Sequence, residues 1–484
     1  MANHGIFIVE ESTVLTIPVT GNSSIPVVVG AAPVNMTDDP ASKVNTPILA
    51  NSATEAMAAL GYSKNFNMGG FTLCQMMYAT ANIYQVSPVV YINVLDPAKH
   101  KKDLPEAQYQ VNQMQAIIDK EGVITTSLTV KDQDSTPLTK DKDFTLEFNA
   151  DGFAVITLIK GQAGESATTL TVSGEVVAPE KITKDEIIGA YDPSTGKETG
   201  LQVIRQVYPK LQVVPGLLLA PSWSFQPEVG IALSAKAALI NGVFRAMALL
   251  DLDTDKTKTY TDTKKAKEDS GFTSAFCAVL WPMDKVGDVI LEKSVTVAAM
   301  IAYQDAANDN VPYLYPSNKM LGVTGQCFWD GTEIMLDQEQ GSAVNAYGVI
   351  TAINAGGWKL WGNYTGAYPT STDPKDIWLA VRRMFNWHGN TFIQTYQSRV
   401  DDPMNHKLVE SIVDSENIRC GAYAPDKWAG ATIEYRAEDN PTTSIIAGQM
   451  TFRQRIAPYT PAQEITNILS YDLDMLTASL TGGE

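Results

Sequence analysis

Two serines, Ser222 and Ser224, follow the apolar run Gly216-Leu217-Leu218-Leu219-Ala220-Pro221, and two acids, Asp251 and Asp253, close the run Ala246-Met247-Ala248-Leu249-Leu250. If these runs are strands of one sheet, the four side chains gather at its carboxyl end with Asp96 and Asp284, where open α/β sheets hold their ligands. The chemistry this suggests is acyl transfer from a serine nucleophile. A triad of that kind needs a histidine base. The four histidines are His4, His100, His388 and His406, and none lies between 200 and 360. The chain also has no G-x-S-x-G elbow. An α/β hydrolase or carbohydrate-acting enzyme is left without its base.

Phosphate and metal chemistry fare no better. The stretch Asp192-Pro193-Ser194-Thr195-Gly196-Lys197 starts like a phosphate loop, but Tyr191 stands where the motif needs glycine and Glu198 replaces its serine or threonine, so a surface turn is expected. Asp251, Asp253, Asp255 and Asp262 fall at positions 1, 3, 5 and 12 of a calcium loop, yet Lys256 occupies the site of the glycine that permits its bend. A solvated acidic strand end is the simpler expectation. Lys256, Lys258, Lys264, Lys265 and Lys267 are interspersed with acids and read as a solvated helix face rather than a nucleic-acid patch. His388 falls on an apolar helical stripe and is expected to be a hydrogen-bonded core residue, while His4 has no neighbouring ligand. Cys74, Cys277, Cys327 and Cys420 form no CxxC pair and suit reduced, structural thiols. No cofactor and no metal is expected.

The elements that would position these residues belong to a chain of 484 residues, more than one hydrophobic core usually holds, so two to four domains are expected. With 54 acidic against 36 basic residues the net charge is −18, which opposes binding to nucleic acid backbones or anionic membranes and points to protein partners. The N-terminus lacks the basic region of a secretory signal, and no apolar stretch approaches the roughly 20 residues needed to span a bilayer, so folding in a cytoplasm without membrane insertion is expected.

Along the chain, Gly5-Ile6-Phe7-Ile8-Val9-Glu10 is β-prone but separated by Pro18, Gly21 and Pro26 from the next apolar run, Val27-Val28-Val29, and reads as a detached arm. Residues 89–96 form a near-continuous apolar run between Pro88 and Pro97, the pattern of a strand buried on both faces of a parallel sheet. From 100 to 190 an initial polar helix near 103–120 and then short alternating segments, such as Phe144–Phe148 and 153–158, predict an inserted antiparallel β domain. Strand and helix candidates then alternate at 216–221, 228–241, 246–251, 273–281 and 294–307, which predicts an α/β sheet with helical crossovers. Asp373-Pro374 marks the start of a long helix to about 399 with Ile377, Val381, Met384, Phe385, His388 and Phe392 as its stripe. Asp402-Pro403 marks a second, with Leu408, Val409, Ile412 and Val413 buried and Gly421 as its stop. Extended segments are expected at 431–437 and 444–456, and the tail beyond Pro458 and Pro461 is strand or helix. There is no internal repeat.

Several stretches taken together resemble the tail sheath family of contractile phages and phage-tail-like contractile injection particles. They are the His4-Gly5-Ile6 opening, Ile25 to Pro33, Ser317-Asn318, Gly322 to Gly325, Val344 to Thr351, Gly357 to Thr365 and Val381 to Trp387, in order over roughly 21–98 and 200–475. Within them, Trp358, Trp361, Gly362, Asn363, Thr365, Arg382 and Arg383 are the signature residues. The resemblance implies a multidomain α/β plus α+β chain. Its parts would be an N-terminal inter-subunit arm (1–20), a non-catalytic subtilisin-like α/β domain (21–99 and 191–356), an inserted β-rich outer domain (100–190), a C-terminal α+β tube-proximal domain (357–460) and a C-terminal arm (461–484).

It further implies a structural subunit stacked as six-membered helical rings around an inner tail tube protein, meeting baseplate and tail terminator proteins, and contracting to drive the tube through a target envelope. Assembly in a bacterial host cytoplasm and release with the particle would follow. Ile6, Phe7, Ile8 and Val9 at one end and Ile468, Leu469, Tyr471 and Leu473 at the other have the composition for completing a neighbour's sheet. From the residues alone, Trp358 to Thr365 also reads as a tight turn packed around Trp361, Arg382 and Arg383 as an exposed helix face or an interface, and Lys407, Glu410, Asp414 and Glu416 as a solvated face or a tube-facing one. A static adhesin or surface protein is the remaining alternative, and the missing export signal weakens it.

Overall fold

The computed structural model describes residues 23–481. The arm residues Ile6, Phe7, Ile8 and Val9, and His4, lie outside the described residues.

The largest sheet has eight strands, labelled in chain order β1 (Pro26–Gly30), β2 (Pro47–Ala50), β3 (Val89–Asn93), β4 (Leu217–Leu219), β5 (Met247–Asp251), β6 (Cys277–Leu280), β7 (Val349–Asn354) and β8 (Trp358–Trp361), in spatial order β2-β3-β1-β4-β5-β6-β7-β8. The inner six run parallel, and β2 and β8 close the edges antiparallel. Every residue of β1, β3, β4, β5 and β6 is buried. That explains their continuous rather than alternating apolar sequences, since helices and loops cover both faces. The helices include α1 (Ala53–Leu60), α2 (Leu73–Asn82), α3 (Pro227–Ala238), α4 (Lys293–Ala306), α5 (Leu379–Tyr396) and α6 (His406–Gly421). Helix α2 packs on α4, and α3 on β4 and β5. Gly30 is required where β1 ends, because a Cβ there would lie 2.1 Å from Thr72 Oγ1.

Residues 101–177 build two sheets of their own, one of four strands and one of three, around a separate cluster that includes Val130, Phe144, Ile156, Leu170 and Val172. The polar helix expected near 103–120 is absent. Lys101–Gln110 is a strand antiparallel to Thr169–Val177, and Gln115–Ile118 is another. The physical reason is a bulge: Val172 pairs with Ala107 but Gly174 pairs with Leu104, so one extra residue interrupts the first strand beside Pro105. Its buried residues, Leu104 and Tyr109, are therefore an odd number of positions apart, and period-two alternation is lost.

The C-terminal third departs from expectation in three places. The long helix is broken: Asp373 caps Pro374–Ile377, Trp378 is extended, and α5 begins at Leu379. The Trp378 ring stacks on Tyr364 at 4.8 Å, a tertiary contact that interrupts the helix. Helix α6 starts three residues later than Pro403, because Asn405 supplies the cap to Leu408 N. Within 444–456, Thr442–Ile446 forms a short helix and only Phe452–Ala457 is strand, paired with Gly430–Tyr435 in a two-stranded sheet. Between Pro458 and Asp472 the tail is irregular, and Leu473–Thr481 is helical.

Candidate functional site

The parallel sheet does bring Ser222, Ser224, Asp251 and Asp284 to one end, where they meet the start of α4. The Ser224 hydroxyl donates to Asp251 Oδ2 at 3.2 Å and accepts from Asp251 N at 3.0 Å, while Ser294 N donates to Asp251 Oδ1 at 2.8 Å. Ser222, in the left-handed region at φ 61°, accepts from Gln75 Nε2 at 3.1 Å, and Gln75 Oε1 accepts from Glu292 N at 2.8 Å. Alongside, Lys293 is ion-paired with Asp284, whose other oxygen accepts from Thr296. Asp284, Lys293 and Ser224 are fully buried.

The electrostatics are those of a closed interior. Burial pushes Asp251 up to about 6 against the opposing effects of Ser294, Ser224 and Lys293. Burial and then the neighbouring Asp251 charge push Glu292 well above the usual carboxylate range. The described histidines are engaged elsewhere. His100 accepts from Asp96 N and meets Glu186 at 3.0 Å, His388 lies beside Arg419, and His406 pairs with Glu410 at 3.1 Å. Ser224 is sealed against Asp251, and Ser222, partly buried, is held by the Gln75 amide; no histidine among the described residues reaches either hydroxyl, so both act as cross-links of the strand ends. Sequence reading missed Glu292 and the Lys293–Asp284 pair; the available signal was a Glu-Lys step opening a helix whose next two turns are mostly apolar.

The other chemical motifs are also occupied internally. Asp253 and Asp255 are paired with Lys256 at 2.9 Å and Lys258 at 3.6 Å, and Asp262 turns onto Thr259 as a capping box. Asp192 to Glu198 is a hairpin turn with Gly196 at φ 68°. Lys267 is not on a solvated face: it is buried and donates to Tyr347 O at 2.8 Å and Tyr368 O at 2.5 Å, and burial pushes its pKa down to about 8. All four cysteines are free and buried.

His388, Glu416 and Cys420 come together in the C-terminal region with ligand atoms within 4.8 Å of one another. A cation is already there. Arg419 Nε and Nη2 hold Glu416, and Nη2 also meets His388 Nδ1 at 2.7 Å. Burial and then the Arg419 charge hold His388 down at about 4, and burial raises the Cys420 thiol to about 11. A neutral imidazole and a protonated thiol around a guanidinium form a core network. Glu416, expected on an exposed face, is fully buried in it; Lys407, Glu410 and Asp414 are exposed.

The two signature arginines are buried as well, 4% and 3% exposed, so neither forms an exposed helix face. Arg382 pairs with Asp376, and Arg383 with Asp305 on α4, 78 residues earlier. Trp358 to Trp361 is not a turn around Trp361 but the edge strand β8. The turn precedes it, and Trp358 Nε1 donates to Thr324 O at 3.0 Å. Gly362, at φ 135°, adopts a backbone that side chains rarely take, and a Cβ there would crowd Ile350 Cα at 3.2 Å. Thr365 bonds Asp376 O, and Asn363 O accepts from Leu379 N. These signature residues fasten β8 to the start of α5.

The tail is the opposite case. Ile468 and Leu469 are 86% exposed, and Tyr471 and Leu473 are 75% and 65% exposed. Its root is pinned: Tyr315 Oη donates to Tyr459 O at 3.0 Å, and Gln463 Nε2 to Tyr364 Oη at 2.9 Å.

No protein-family model matches the chain. It is 25% identical over 481 residues to the tail sheath protein of Burkholderia phage BcepMu, covering 96% of this chain and 95% of that one. It is 26% identical over 156 residues, 32% of this chain and 37% of the other, to the major tail sheath protein of Serratia phage KSP20. Among solved structures, it matches the sheath complex of an extracellular contractile injection system, PVC, in its contracted state. That match has TM-score 0.58 and 13% identity, over 98% of this chain and 99% of that one. No described helix is long and apolar enough to cross a membrane. Across 96% of its length the chain is similar in sequence to a phage tail sheath protein, and its mixed α/β fold matches that of a contractile injection system sheath.

Proposed function

We propose that the chain is the structural, non-catalytic subunit of a contractile sheath, assembled as stacked six-membered rings around an inner tube, with baseplate and terminator proteins at the ends. The observation that carries this reading is the near-complete coverage of a phage tail sheath protein. Physically, the tail from Glu464 exposes side chains that a monomer gains nothing by exposing, and in the two-stranded sheet of Gly430–Tyr435 and Phe452–Ala457 no further strand pairs with Phe452–Ala457, whereas Ile433 on the other edge is bonded to Asn417. A neighbour's tail laid along such an edge gains main-chain hydrogen bonds, each worth about 0.5–1.5 kcal/mol net. Residues 1–20 and 461–484 are then the inter-subunit arms, 357–460 faces the tube through Lys407, Glu410 and Asp414, and the insertion faces outward. The subtilisin-like shape of the central domain serves as scaffold only. Bodies tied by arms can rotate and repack while staying connected, so a metastable extended assembly releases work without nucleotide. Assembly takes place in the host cytoplasm before release.

Negative-stain electron microscopy of the purified protein at high concentration, alone and with its tube protein, tests the reading. Hollow cylinders with helical striation are expected. Compact monomers under every condition would overturn it.

A further inference from the structure

Two grooves on the described surface have opposite charge. One, of about 780 Å³, lies between the 191–198 hairpin and the end of α3, with Arg205, Lys210 and Lys236 against a single carboxylate, Glu198. Glu198 is already held by Arg205 at 3.0 Å and by Gln206 Nε2 at 2.9 Å. Lys236 finds only a neutral partner, Gln202 Oε1 at 2.8 Å, and burial and the Arg205 charge hold it below its ordinary value. Lys210 forms no ion pair among the described residues. Leu239, 55% exposed, gives the groove an apolar wall. The recess is locally cationic in a chain of net charge −18. The other groove, of about 580 Å³, lies beside α6, is lined by Met404, Val409 and Val413, and is rimmed by Glu410, Asp414 and Glu434.

The tail carries the complement to the first groove. In Leu473–Thr481, Leu473, Leu476 and Leu480 recur at three and four positions and so share one face, while Asp472 and Asp474 stand at the start. The acidic rim beside α6 would repel those carboxylates, and the cationic groove would draw them.

We propose that the cationic groove of one subunit receives the C-terminal helix of a second copy, with Asp472 and Asp474 beside Lys210 and Lys236 and the leucine face against Leu239. This rests on the assembly reading above and names the surface that takes the tail's end. The preceding segment, 464–472, spans at most about 30 Å when extended, which bounds the distance from Gln463 to the groove it enters.

Charge reversal in the full-length protein tests the pairing. K210E/K236E and D472K/D474K are each expected to lower the assembled fraction, read by sedimentation and electron microscopy, by about tenfold at fixed concentration and low salt. Combining all four in one chain is expected to restore it. If K210E/K236E forms cylinders as readily as the unmodified chain, or if the fourfold variant is not restored, the groove assignment is overturned and the assembly reading stands. If the unmodified chain forms no cylinders even with its tube protein, the assembly reading falls and takes this inference with it.

Discussion

The body and the tail of this chain break the usual rule of burial in opposite directions. In the body, Lys293, Asp284, Asp305, Arg383, Glu416 and Arg419 are buried, each ion-paired within the same chain. In the tail, Ile465, Ile468, Leu469, Tyr471 and Met475 are at least 74% exposed. A buried charge that is fully paired adds little net stability but is costly to unpair, so it fixes one arrangement of the elements around it. An exposed apolar run has the reverse meaning, because nothing among the described residues covers it. The body's anomalies specify this fold, and the tail's leave an apolar surface open.

The sharpest separation of the two is removal of residues 464–484. Striated cylinders are expected to disappear, with the melting temperature of the monomer unchanged; a large fall in melting temperature would show that the tail belongs to the body. Asp305→Ala, which strands Arg383 in the core, is expected to destabilise by about 3–5 kcal/mol in urea unfolding, whereas the paired replacement D305L/R383M should recover most of that loss.

A smaller effect is expected at the strand-end carboxyls. Both hold their protons to higher pH in the folded chain than in the unfolded one. The stability they confer is therefore complete below the unfolded carboxylate range, near pH 4, and lost as pH rises through about 6 for Asp251 and higher for Glu292. Glu292→Gln should raise the melting temperature by about 2–4 °C at pH 8 and leave it unchanged at pH 4. An equal shift at both pH values would remove the carboxyl from the account. Smallest of all, I468S/L469S should alter monomer stability by no more than about 0.5 kcal/mol while weakening assembly.

The buried strands were legible because a strand covered on both faces is apolar at every position, and 26–30, 89–93 and 247–251 read that way directly. The strand from Lys101 was not, because its bulge beside Pro105 spoils the alternation that marks a strand. Trp378 was read through as helix because its stacking partner Tyr364 lies outside any local window. The burial of Arg382 and Arg383 was invisible for a related reason: a charge is buried only where its partner is, and Asp305 is far away in sequence. At the strand ends the sequence located Ser222, Ser224 and Asp251 and held no histidine between 200 and 360, but did not show the depth at which Ser224 and Asp251 are sealed.

The inserted β sheets join the body through a narrow neck. Lys101 lies opposite Val177 in register, and Ala178 N donates to His100 O at 2.8 Å, so the two ends of the insertion are adjacent. Asn35, Ser63 and Asn67 hold it against the body by single hydrogen bonds to Val123, Asp151 and Glu121. Such a neck is a splice point: coding sequence can be gained, lost or exchanged there as one block without displacing a strand of the main sheet. Exchange of that block would change one surface of the subunit and leave its eight-stranded sheet intact.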